Sequence, residues 1–338
     1  ITYVAPQWPG KNDINENGNL KDTISFKKID EFVRHWPNAR HYRIFLAAQK
    51  KKSIGSYDWR SPEFAQFLFQ WVKLWDKHIH ELGLAPGKVT VHLVDEPHSE
   101  EHLEVMYKFA EIFKKASKNI AVECNFSLGP DMKRHPMFEK ISRYVDIWWP
   151  KTYCFTNFRL EAPSTYWNVF KDFANQKRKE LWFYDCFGPA RMFDPAHYRI
   201  QPWYCFKAGA TGSAFWAYGD GGACQSFNEF PAVRAEAYTP LYIGNKTILG
   251  SKHWEAVREG IEDYEYLVII RKLLADAETK GKDMQAYKQK MEQAVENSYQ
   301  KLNKFNQQRY MREWEKGSSK NIDRQRETII AMIQELGK

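Results

Sequence analysis

The chain has 338 residues, 43% of them hydrophobic and 16% aromatic, enough apolar material for one barrel or two smaller domains. Its net charge of +8, from 50 Lys+Arg against 42 Asp+Glu, is densest after Arg271 and reads as solvated helix surface. No basic stripe interleaved with aromatics and no nucleic-acid motif occurs, so no nucleic-acid partner is expected.

Ile1 to Ala5 (ITYVA) reads as a buried strand, and Pro6 to Leu20, rich in Pro, Gly, Asn and Asp, as a long loop. Asp22 to Phe26 leads into a helix with Phe26, Ile29, Phe32 and Val33 on one face, stopped at Trp36-Pro37. Tyr42 to Ala48 is the next strand. Ser61-Pro62-Glu63 starts a helix, with Ser as N-cap and Pro in the first turn, that runs to about Leu82. Lys88 begins a third strand. The alternation continues: helix over Glu100 to Ser117, strand over Ile120 to Leu128, short helix over Met137 to Ile141, strand over Val145 to Tyr153. Helix over Ser164 to Lys179, strand over Leu181 to Gly188, helix over Ala196 to Ala208, strand over Gly212 to Asp220 and an amphipathic helix over His253 to Leu274 complete it.

Seven strands alternating with helices indicate a parallel sheet with crossover helices. The expected fold class is α/β, a (β/α)8 TIM barrel. Because the first strand stands at the terminus, its first strand–helix unit is expected to lie upstream. An open doubly wound sheet is the alternative; no Gly-rich phosphate loop follows any strand, which favours the barrel. Beyond Ala275 the composition turns to Lys, Gln, Asn and Glu, with a break at Gly317-Ser318-Ser319. The expected domains are a barrel over 1–275 and a helical extension over 276–338. Starting at Ile1 within a strand, the chain reads as processed or trimmed, and a periplasmic or secreted compartment is favoured over the cytoplasm. No apolar run is long enough to span a membrane. The five cysteines are widely spaced without CxxC, so neither a zinc site nor a disulfide framework is expected.

The chemistry centres on Val89-Thr90-Val91-His92-Leu93-Val94-Asp95-Glu96-Pro97-His98. A β-branched run reads as a buried strand, and Pro97, lacking an N–H, ends it. Asp95 and Glu96 therefore stand at a strand's carboxyl end, the catalytic face of a barrel. Adjacent carboxylates disfavour each other's ionisation, and burial adds to that. Such an environment suits a general acid at an acetal oxygen. Two consecutive residues do not easily flank a sugar at the 5–5.5 or 6.5–9.5 Å spacing of ordinary two-carboxylate glycosidases. They fit better a scheme in which a 2-acetamido oxygen attacks the anomeric carbon. Asp95 would steer the acetamido nitrogen and Glu96 would protonate the leaving oxygen.

Other strand ends supply substrate-binding candidates: Trp149 and Tyr153, Tyr184 and Asp185, then Trp216, Tyr218 and Asp220, with Arg191 in the loop after Gly188. Each aromatic is as well explained by packing as by sugar stacking. Arg191 would clamp a hydroxyl or carboxylate, or close a loop salt bridge. Asn125 and Ser127 are weaker strand-end candidates. His92 shares strand parity with Val94 and Glu96, and would face the site or pack. The charged run Arg258 to Tyr264 reads first as a solvated or structural ion-pair face. No metal-ligand spacing and no GxSxG elbow is present, so no metal is expected.

The runs LVDEPH, LWFYDCFGPARMFDP, GATGSAFWAYGDGG and KHWEAVREGIEDYEYL, in that order, resemble the catalytic domain of glycoside hydrolase family 123. That family contains β-N-acetylgalactosaminidases with a (β/α)8 barrel, and the resemblance covers roughly Ile1 to Leu274. It implies a substrate-assisted Asp-Glu pair at Asp95 and Glu96, a retaining, exo-acting hydrolase on glycans or glycoconjugates, and no cofactor. It also implies a β-sandwich domain and the first barrel strand upstream. A barrel glycosidase on another, acidic sugar met by Arg191 or Lys151, and an inactive carbohydrate-binding barrel, remain open alternatives.

Overall fold

The computed structural model describes residues 2–4, 6–20, 24–125, 136–152, 170, 172–186, 194–218, 238–244, 246–299, 302–306, 311–314 and 318–337. The chain divides into two compact units, Ile1–Pro150 with Asn175–Glu180, and Lys151–Ala174 with Leu181–Lys338.

The first unit holds five strands: β1 (Thr2–Val4), β2 (Tyr42–Phe45), β3 (Val89–His92), β4 (Ile120–Cys124) and β5 (Ile147–Trp148). Each pairs in parallel with the next in chain order. In the register Phe45 stands opposite His92, and His92 opposite Glu123. The intervening helices are α1 (Lys27–His35), α2 (Pro62–Glu81), α3 (Glu100–Ala116) and α4 (Pro136–Ser142). The Ser61 hydroxyl accepts from Phe64 N–H (3.1 Å) and that of Ser99 from His102 N–H (3.2 Å), so both long helices start on side-chain caps. Helix α2 buries Phe64, Phe67, Trp71 and Trp75 along one face. Phe64 meets Phe109, and Trp71 meets Phe113, both from α3, at ring separations of 5.7 and 6.2 Å. Each fully buried ring of this kind contributes roughly 1.5–3 kcal/mol. Much of the aromatic excess is therefore core.

The second unit contains most of β6 (Glu180–Cys186), whose Trp182 to Cys186 pair in parallel with β7 (Gly212–Trp216). Its helices are α5 (Ala196–Ala208), α6 (Lys252–Thr279), α7 (Gln285–Tyr299) and α8 (Ser318–Leu336). Ile200 and Trp203, Leu267 and Ile270, Met291 and Val295, and Ile329 and Met332 form one core across all four. Gly260 sits where α6 crosses α5: an added Cβ would lie 2.7 Å from the Arg199 carbonyl oxygen, too close for any side chain. Gly209, in the left-handed region at φ +70°, ends α5 where a Cβ would be strained.

Parallel strands alternating with helices make the fold an incomplete (β/α)8 barrel with C-terminal helices. Three details were not legible beforehand. The strand expected over Val145 to Tyr153 is regular only over Ile147–Trp148, with an isolated bridge from Lys151 to Tyr184. Short antiparallel pairs occur at Ser53–Ile54 with Tyr57–Asp58 and at Tyr242–Ile243 with Ile248–Leu249. A third, Leu302–Asn306 with Met311–Trp314, interrupts the C-terminal helices.

Candidate active site

Backbone pairing continues just past the end of β3. Leu46 N–H donates to the His92 carbonyl (2.9 Å) and Ala48 N–H to that of Leu93 (2.7 Å). Leu93 and Val94 are fully buried, after which the chain turns outward. The Asp95 side chain is 48% exposed and Glu96 half-buried, while Pro97 is buried again. The strand parity that placed His92 with Glu96 therefore does not survive the turn: it holds only while the backbone stays extended. Glu96 has φ +43°, in the left-handed region. A non-glycine residue there costs about 1–3 kcal/mol and persists only where its surroundings hold it.

The Glu96 carbonyl oxygen lies 3.0 Å from His98 Nδ1, and the Glu96 N–H is held by Asn125, immediately after β4. Its Oδ1 accepts from Glu96 N–H (2.8 Å), and its Nδ2 donates to Asp95 Oδ1 (2.8 Å). Asn125 is buried. His92 Nε2 lies 3.4 Å from the same Asp95 oxygen, and its Nδ1 lies 3.6 Å from Glu123 Oε1. The His92 ring is stacked on Phe45 and meets Trp149 edge-on. Glu123 is wholly buried and salt-bridged to Arg43, whose guanidinium lies 3.6 Å from the centre of the Trp149 ring. Two carboxylates that open to solvent are thus backed by a buried layer of Asn, His, Glu, Arg and Trp. Trp149, a candidate sugar platform, is 7% exposed and serves as the face against which Arg43 lies.

In the second unit, Tyr184 is buried, with Lys151 Nζ 5.8 Å from its ring centre and its carbonyl accepting from Thr152 N–H (2.8 Å). Asp185 is also buried, its Oδ2 3.4 Å from Nε2 of His197 on α5. Trp216 and Tyr218 are 50% and 48% exposed, and Tyr218 packs edge-on against Trp254. Tyr153, Arg191, Asp220 and Ser127 lie outside the described residues. From the run Arg258 to Tyr264, Asp263 points inward. It accepts from Arg199 Nε (2.8 Å) and Trp203 Nε1 (3.0 Å), and faces Arg326 Nε (3.3 Å). Among the described residues, no group of three or more His, Cys, Asp or Glu could hold a metal ion. No helix among them is long and apolar enough to cross a membrane.

The family model for the glycoside hydrolase 123 catalytic domain matches residues 20–270, well over half of the chain. The chain belongs to that family. It is accordingly a glycoside hydrolase, with a glycan as substrate. No curated protein matches it. Among solved structures it is similar to the GH53 catalytic domain of Ignisphaera aggregans, with 11% identity, a TM-score of 0.41, and 64% of this chain and 73% of that one covered. The endo-1,4-beta-mannanase of Rhizomucor miehei gives 13% identity and a TM-score of 0.41, with 68% and 78% covered. Endo-glycoceramidase II from Rhodococcus sp. gives 10% and 0.39, with 76% and 70% covered. Likenesses this distant decide nothing about the sugar.

In this glycoside hydrolase the layer behind the acid pair is what sequence reading missed. In the sequence Asn125 is a weaker strand-end candidate and His92 has two readings, and no motif there singles out Arg43 or Glu123. The available signal was an Arg and a Glu inside two strands expected to be buried. Only the register puts His92 beside Glu123, and hence Asn125 beside the Asp-Glu turn.

Proposed function

We propose that this glycoside hydrolase removes terminal β-linked N-acetylgalactosamine with retention of configuration, using the substrate's own acetamido group. The observation that carries the reading is the pairing of Asp95 and Glu96 on one turn, both fastened to Asn125. Carboxylates carried by consecutive residues of one turn suit one nucleophile-steering and one proton-donating role better than opposite faces of a sugar. The acetamido oxygen attacks the anomeric carbon as the bond to the leaving oxygen breaks. Glu96 gives its proton to that oxygen. Asp95 accepts a hydrogen bond from the acetamido N–H and offsets the positive charge of the oxazoline intermediate. Water then attacks the anomeric carbon as that carbon's bond to the oxazoline oxygen breaks and the acetamido group is restored; Glu96 takes the proton from the water, and two inversions leave the configuration retained.

Substrate contacts are proposed, from their strand-end positions, for Tyr153, Tyr184, Asp185, Trp216, Tyr218 and Asp220, and for Arg191 in the loop that follows Gly188, but not for Trp149, which is buried against Arg43. Trp216 and Tyr218 have the best support, since half of each side chain is open to a sugar face. The division we propose is a catalytic barrel over 1–275 and an extension over 276–338 that braces α5 and α6 through their common core.

The test is hydrolysis of aryl 2-acetamido-2-deoxy-β-galactosides by the wild type, Glu96→Gln and Asp95→Asn, with a galacto-configured thiazoline as inhibitor. Both variants should lose at least 100-fold in kcat, in the range general acid catalysis supplies, and the thiazoline should compete with substrate. Full activity in either variant, or turnover indifferent to the acetamido group, would overturn the mechanism.

A further inference from the structure

We infer that Asn125 is the positioning residue of the acid pair, setting the Asp95 carboxylate and the Glu96 backbone at once. This rests on the reading of Asp95 and Glu96 as the working carboxylates.

Three observations meet at this one side chain. Glu96 is held in a left-handed conformation that a non-glycine residue does not adopt without a restraint. Asn125 Oδ1 supplies one restraint by accepting from the Glu96 N–H, and His98 Nδ1, 3.0 Å from the Glu96 carbonyl oxygen, supplies another. The other end of the Asn125 amide donates to Asp95 Oδ1. Asn125 is 2% exposed, so neither bond is readily exchanged for water. It follows directly on β4, whose Val122 and Glu123 pair with Val91 and His92 of β3, so the sheet fixes its distance from the turn.

The task is selective for this residue type. One short side chain must offer an acceptor to a backbone N–H and a donor to a carboxylate. Aspartate has the same shape but, when ionised, offers only acceptors and puts a second negative charge against Asp95. Serine and alanine cannot span both partners. Asn125 touches no reacting atom in this scheme. It acts through Asp95, which steers the acetamido nitrogen, and through Glu96, whose backbone conformation aims the proton donor.

The experiment compares Asn125→Ala and Asn125→Asp with the wild type on a panel of 4-methylumbelliferyl glycosides. The panel contains β-GalNAc, β-GlcNAc and the matching sugars without the acetamido group. On whichever is cleaved, kcat of Asn125→Ala should fall roughly 100-fold, as expected from a misplacement of about 1 Å, with KM changed only a few-fold. The loss should be only partly additive with Asp95→Asn, smaller in that background than in the wild type, because the share that runs through the Asp95 carboxylate is already gone while the share that runs through the Glu96 backbone remains.

Asn125→Asp adds a pH signature that a purely structural residue would not give. Protonated, the new carboxyl again has one acceptor and one donor, so its activity relative to wild type should recover on the acid side. Among the described residues, the charged and titratable groups in this network are Asp95 and Glu96, His98 against the Glu96 carbonyl, and His92, Glu123 and Arg43 behind Asp95. Circular dichroism and thermal melting identify a variant that has merely unfolded, and the isosteric Asn125→Asp then carries the test. Wild-type kcat in both folded variants, or full additivity with Asp95→Asn, overturns the inference while leaving the acid pair standing. Turnover only of sugars lacking the acetamido group sinks the substrate reading alone. No turnover of any panel member by the wild type sinks both.

Discussion

Replacing Arg43 by methionine tests the layer behind the acid pair. The Arg43 side chain is 10% exposed and its partner Glu123 0% exposed. Methionine keeps most of the aliphatic stem packed beside Trp149 but removes the charge, leaving a carboxylate sealed in the sheet. Breaking a buried pair from one side costs about 3–5 kcal/mol, and the lost contact with the Trp149 face adds roughly 1 kcal/mol. His92, 3.6 Å from Glu123, offers some compensation, so the expected loss is about 3 kcal/mol. Glu123→Gln in the same chain removes the stranded charge, and the double variant should come back to within about 1 kcal/mol of wild type. Urea unfolding followed by Trp fluorescence, with the m-value checked for constancy, measures both. If Arg43→Met loses no more than an exposed pair would, about 1 kcal/mol or less, the layer is not the dry, charge-balanced support described above. The same holds if the double variant loses the sum of the two singles.

Asp263→Ala should destabilise the protein by about 3 kcal/mol, near the low end for a broken buried pair, because Arg199 keeps Glu259 at 3.2 Å and Asp323 at 2.5 Å. A loss under about 1 kcal/mol in urea unfolding would relegate that cluster to the surface. Burial pushes the Cys205 thiol up from 9.0 to about 12, and raises that of Cys124 well above its ordinary value. The folded state therefore keeps protons that the unfolded chain loses. This stabilisation is complete below pH 9 and is lost as pH rises toward 12. Iodoacetamide at pH 8 followed by peptide mapping should leave Cys124 and Cys205 unlabelled until the chain is unfolded, and rapid native labelling of either would contradict their burial.

Much of this protein was legible from residue order alone. The alternation of β-branched strands with capped, amphipathic helices specified a parallel α/β fold, because each period buries its apolar face in only one way. Ser61-Pro62 marked a helix start that the structure keeps, since capping is a local hydrogen-bond affair. The Asp-Glu-Pro turn was legible too: Pro97 closes the strand by local chemistry, and two carboxylates are conspicuous at its end. Tertiary structure decided what stands behind that turn. Arg43 on β2 and Glu123 with Asn125 on and after β4 come from segments far apart in the chain, and only the parallel register brings them to His92 and Asp95. It also turned Trp149 and Asp263 inward, to Arg43 and to Arg199. A charge inside a sheet or helix is satisfied by whichever partner the fold delivers, and one-dimensional periodicity carries no record of that partner.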